Sequence, residues 1–117
     1  MELITSLKEK NPNEMYRSFE GVEIGNYVLS IQGSMGHYCT PRKNVPVDEY
    51  TTMEIAIWRN DGEKFLCCNK SSTMRAFNRY DELMERAEGS QPTVFGYVPV
   101  DLIEELGEYL NNPKLTI

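Results

Sequence analysis

The sequence holds one histidine, one tryptophan and three cysteines among 117 residues. Two of the cysteines, Cys67 and Cys68, are adjacent, and an odd set does not read as a disulfide framework, so a reducing, cytoplasmic setting is expected. Neither C-x-x-C nor H-x-x-x-H spacing occurs. Alternation along a strand would also send neighbouring cysteines to opposite faces, so His37, Cys39, Cys67 and Cys68 make a poor tetrahedral zinc set and no metal or other cofactor is expected. No apolar run approaches the ~20 residues of a membrane helix. The opening MELITSLKEK places an acid at Glu2 and has no apolar stretch before a small-residue cleavage site, which counts against a signal peptide. Internal repeats, low-complexity tracts and linkers are also missing. What remains is a chain with 40% hydrophobic and 26% charged residues, enough apolar material for one domain spanning 1–117.

Charge is unevenly distributed. Residues 1–80 carry ten acids and ten bases, while residues 81–117 carry eight acids against Arg86 and Lys114, which accounts for the net −6. This acidic half argues against direct binding to nucleic acid or an anionic membrane. It suits either a solvated surface or a face that docks on a basic protein.

Residues 1–14 read as a short helix or loose arm ended by Asn11-Pro12-Asn13. In 27–32, Tyr27, Leu29 and Ile31 share one face of a half-buried strand, preceded by a Gly25-Asn26 turn. Met53, Ile55 and Ile57 define a second strand. Asn60-Asp61-Gly62 has hairpin turn chemistry, which predicts a returning strand over 65–68. The spacing of Met74, Phe77, Tyr80, Met84 and Ala87 predicts helix within 73–88. A strand over 93–98 then leads through Pro99 into a helix with Leu102, Ile103, Leu106 and Leu110 on one stripe. Asp101, Glu104, Glu105 and Glu108 form its opposite stripe. The expected class is α+β: a small, mostly antiparallel sheet of three to four strands with two helices of the C-terminal half on one face.

The segment 33–50 is too long for an ordinary hairpin loop of about two to five residues. It also concentrates chemistry in Ser34, His37, Tyr38, Cys39, Arg42 and Lys43. Gly33 and Gly36 would allow close backbone approach, and Arg42, Lys43, Tyr38 and His37 offer cationic and stacking groups to a phosphate-bearing ligand. His37 and Cys39 are too close in sequence for the usual catalytic pairing and lack a nucleophile elbow. A loop-stabilising histidine and a small buried cysteine are the simpler reading. Gly33-Ser34-Met35-Gly36 lacks the spacing of a phosphate loop. No catalytic residue is therefore nominated. Trp58, beside Thr52 and Glu54, is either core or an aromatic anchor at an interface.

Ser30-Ile31-Gln32-Gly33-Ser34, His37-Tyr38-Cys39-Thr40-Pro41-Arg42, Tyr50-Thr51 and Val94-Phe95-Gly96-Tyr97-Val98-Pro99-Val100 carry a resemblance. Across roughly Tyr27 to Leu106 the chain resembles small accessory proteins of bacteriophages and other mobile elements. That resemblance implies a bacterial cytoplasm and no defined activity. The expected function is non-enzymatic: inhibition or modulation of a host protein by surface occlusion, including a CRISPR effector or another nucleic-acid-binding defence factor. The partner-binding candidates are Asp101, Glu104, Glu105, Glu108 and Trp58. The alternative is a module that captures a phosphate- or nucleotide-bearing small molecule through Ser34, His37, Tyr38, Cys39, Arg42 and Lys43. Self-association into a homo-oligomer is compatible with either.

Overall fold

Two glycine-led residues set the first hairpin. In a computed structural model, which describes residues 2–10, 17–62 and 64–113, β1 (Val22–Ile24) and β2 (Tyr27–Gln32) pair antiparallel through a Gly25-Asn26 turn. Gly25 sits at φ +58°, and a positive φ at the first turn position alone is the II′ pattern, which favours glycine there. β3 (Thr52–Arg59) pairs with β2 so that Leu29 faces Ile57 and Ile31 faces Ile55. β4 (Val94–Pro99) pairs with β3 on its other side, giving an antiparallel sheet in the order β1-β2-β3-β4.

Helices cover one face of that sheet. α1 (Glu2–Thr5) sends Ile4 into the core, and α4 (Val100–Asn111) buries Leu102, Ile103, Leu106 and Leu110 completely. Between β3 and β4 lie two short helices, α2 (Ser72–Arg75) and α3 (Tyr80–Met84), which contribute Met74 and Leu83 to the same core. The Ser71 side chain caps α2 by accepting from the Met74 N–H at 3.2 Å. The α+β class and the strand alternation agree with the sequence reading.

Two local expectations need correction. The helix expected within 73–88 is interrupted, so among the described residues the C-terminal half holds three helices rather than two. The returning strand expected over 65–68 reduces to one bridge between Trp58 and Phe65, with the Leu66 N–H donating to Ile57 O at 2.7 Å. The chain then turns into a 3-10 turn at Cys68–Lys70. β4 already occupies the outer side of β3 as far as Ala56, so only a short stretch remained free for 65–68 to pair. The short helix expected near the start is present as the single turn α1, and the Asn11-Pro12-Asn13 breaker lies outside the described residues. Among the described residues no helix is long and apolar enough to cross a membrane.

Candidate functional site

The 33–50 segment divides into an inner layer that fastens it and an outer layer that faces solvent. Arg17 fastens it from below. Its Nη2 donates to Gly33 O (3.2 Å), Val45 O (2.7 Å) and Tyr50 Oη (2.6 Å), while Nη1 reaches Glu9 at 3.3 Å. The Tyr50 hydroxyl in turn donates to Lys43 O at 2.6 Å. Burial pushes the Tyr50 phenol up, so it stays protonated and keeps that donor. Glycine is required at position 33 because a β-carbon there would lie 2.7 Å from the Tyr50 ring. The close approach expected of this glycine is therefore to the protein's own tyrosine.

Ser34, His37 and Cys39 belong to the inner layer. Ser34 is fully buried; its Oγ accepts from the Gly36 N–H at 3.0 Å and lies 2.6 Å from His37 Nδ1. The neutral imidazole with its proton on Nε2 satisfies both contacts, since the hydroxyl then donates to Nδ1. Burial lowers the His37 pKa; Glu54 partly offsets this, and the Arg17 charge adds a smaller lowering. Cys39 is 1% exposed, and its thiol faces three carbonyl oxygens: Ser34 O at 3.2 Å, Pro41 O at 3.3 Å and His37 O at 3.5 Å. Burial raises the thiol pKa, and carbonyl lone pairs are poor company for a thiolate. The serine and cysteine are buried from substrate, and the histidine is turned toward Ser34.

Tyr38, Arg42 and Lys43 form the outer layer. The Tyr38 ring stacks on Tyr97 of β4, with centroids 5.7 Å apart and planes 27° apart. The Arg42 guanidinium lies 5.3 Å from the centre of the Tyr38 ring, and Lys43 is exposed. Backbone bonds hold the pair in register: the Tyr38 N–H donates to Glu54 Oε1 (3.1 Å) and the Tyr97 N–H to Tyr38 O (2.9 Å). The structure therefore separates the six candidates of this segment instead of gathering them around one ligand. Sequence reasoning missed Tyr97 as a site residue. The available signal was Phe95 and Val98, two large apolar residues three apart in a strand, where a period of two would put one of them outside.

The acidic stripe of α4 is largely committed within the fold. Glu104 accepts from the backbone N–H groups of Leu3 (3.0 Å) and Ile4 (2.8 Å), which caps α1. Arg79 bridges Glu82 (2.5 Å), Glu105 (2.8 Å) and Asp101 (3.0 Å). Those hydrogen bonds raise the guanidinium pKa further and lower that of Glu82. Glu108 is exposed and lines a cleft of about 320 Å³ with Glu2, Glu23 and Glu104. Trp58 is half-buried, 5.7 Å from the more exposed Phe65, and lies under Gly21. Among the described residues no group of three or more His, Cys, Asp or Glu is arranged to hold a metal ion. No protein-family model matches the chain, and neither does any curated protein or solved structure.

Proposed function

We propose that this chain is a non-enzymatic binding protein that inhibits or modulates a host factor by covering part of its surface. The setting is the bacterial cytoplasm, and the role is the accessory one implied by the resemblance to phage and mobile-element proteins. Anti-defence activity, anti-CRISPR activity included, is its specific form. One observation carries the reading: the reactive side chains Ser34, His37 and Cys39 are engaged within their own loop, while Tyr38 and Arg42 of that loop and Tyr97 of β4 stand outward together. An enzyme needs its nucleophile and base exposed to substrate, whereas an occluding protein needs a rigid aromatic and cationic surface. A small-ligand module has less support, because ligand pockets usually enclose most of their guest and these residues are split between two layers.

The test is phage plating on bacteria that express the protein beside an active defence system, run across CRISPR–Cas, restriction and abortive-infection systems. Plating that rises toward the level of a defence-deleted strain is the expected result for at least one system. Unchanged plating across the whole panel, with folded protein accumulating in the cells, refutes the proposal.

A further inference from the structure

The β3–β4 pairing carries an irregularity with a functional reading. Met53 pairs with Val98 and Ile55 with Phe95, so Glu54 on β3 faces both Gly96 and Tyr97 on β4. This is a β-bulge, a feature that re-aims a side chain and is common beside functional sites. Its effect is to turn Phe95 and Val98 both into the core while Tyr97 points out beside Tyr38. Tyr97 adopts φ +52°, a left-handed backbone that is costly for a residue with a β-carbon and natural for glycine. Tyr97 is 38% exposed and Tyr38 42% exposed, so folding alone recovers only part of that cost. A glycine would serve the fold at this position; a tyrosine serves a surface.

The neighbouring cation is unspent. Of the six arginines, Arg17, Arg59 and Arg79 meet carboxylates, and Arg75 and Arg86 donate to the carbonyls of Asn69 and Tyr97. Arg42 meets only the face of Tyr38 among the described contacts. A chain of net charge −6 has carboxylates to spare, yet none of those described is bonded to this guanidinium.

We propose that Tyr38, Tyr97 and Arg42 form the docking face and that it receives a loop of a partner protein bearing an Asp or Glu beside an apolar side chain. This deepens the host-factor reading and rests on it. The carboxylate meets Arg42, with Lys43 alongside, and the apolar side chain covers the two tyrosine rings, the pairing of residue types that dominates protein interfaces. A nucleic-acid strand fits less well. Every unit of its backbone is charged, and it would approach a chain of net charge −6 with Glu88 against Gly96 at the rim. A single carboxylate needs only Arg42 and Lys43, whereas a strand must also carry its further phosphates past Glu54 and Glu88 beside Tyr38.

The test pans a displayed random 12-residue peptide library against the folded protein. Selected peptides are then titrated calorimetrically against the wild type, Arg42→Ala and Tyr97→Gly. Circular dichroism and melting confirm that both variants stay folded. Expected are peptides with Asp or Glu next to an aromatic or aliphatic residue, whose affinity falls about tenfold or more in each variant. The proposal is overturned if no peptide is enriched, if acidic residues are not enriched, or if both variants bind as the wild type does. A fluorescent oligothymidylate that binds at physiological salt and is lost in the same variants also overturns it, assigning the face to nucleic acid. Patch-dependent peptide binding without any effect on plating would sink the host-factor reading and keep the face. Plating activity that survives both substitutions would sink the face and keep the host-factor reading.

Discussion

Replacing Glu104 by alanine tests whether the acidic stripe of α4 is a scaffold element. Its carboxylate accepts two first-turn N–H groups of α1, from Leu3 and Ile4, which would otherwise have no partner within the helix. A helix-capping side chain is worth about 1 kcal/mol, and hydrogen bonds to a charged group about 1.5–3 kcal/mol each. Glu104 is only half-buried, so water can replace part of what is lost. A single-turn helix cannot persist by itself, so α1 loosens and the burial of Ile4, about 2 kcal/mol in full, is partly surrendered. The ordering entropy regained by the freed residues offsets some of this. The net loss is about 2–3 kcal/mol, roughly 10 °C in Tm for a chain of this size. Urea and thermal denaturation measure it, and hydrogen exchange of amides 2–7 locates it. Glu108→Ala is the control, expected to stay within about 0.5 kcal/mol of wild type. If Glu104→Ala melts with Glu108→Ala, the anchoring argument is wrong. Charge reversal at Glu104 therefore cannot test docking, because it also removes the α1 cap, whereas reversal at Glu108 can.

Tyr50→Phe removes the hydroxyl that accepts from Arg17 and donates to Lys43 O, and should cost about 1.5–3 kcal/mol in urea denaturation, with a loss under 0.5 kcal/mol counting against it. Iodoacetamide at pH 8 should label Cys67 alone in the folded protein. Cys39 is shielded and raised by burial, and the Cys68 thiol is pushed up to about 12, so labelling of either at the rate of Cys67 would refute the burial argument. His37 binds its proton more readily unfolded than folded, so stability should decline as pH falls below about 6.5, and His37→Gln should flatten that window. The Glu82 contribution has the carboxylate sign: present above the unfolded pKa and lost as pH falls through the folded one, giving a second, lower decline in a pH series of melting curves.

The strands β2 and β3 and the buried stripe of α4 were legible because period-two and period-3.6 patterns report directly on one-sided burial. The break between α2 and α3 was not. Met74, Phe77, Tyr80 and Met84 keep their spacing through it, and Arg79 at the junction turns to acids more than twenty positions later, on α4. The 65–68 strand failed for a related reason: Asn60-Asp61-Gly62 encodes a turn, but local chemistry does not reveal that β4 has taken the adjoining edge. The chemistry-rich 33–50 segment was visible by length and composition. Its division into two layers was not, because the residue that decides it, Arg17, lies sixteen positions before Gly33.

Arg17 also makes the start of the chain and the Tyr38 platform one mechanical unit. A cut between residues 17 and 33 would leave its guanidinium covalently tied to the wrong fragment, held to Gly33, Val45 and Tyr50 only by hydrogen bonds. Trimming the chain past residue 17 would remove the clasp altogether while sparing every residue of the outward face. A shortened version could thus retain the sheet and α4 and lose the presentation of Tyr38 and Arg42. Fusion partners and affinity tags on this protein belong upstream of an intact 17–20 segment, never in place of it.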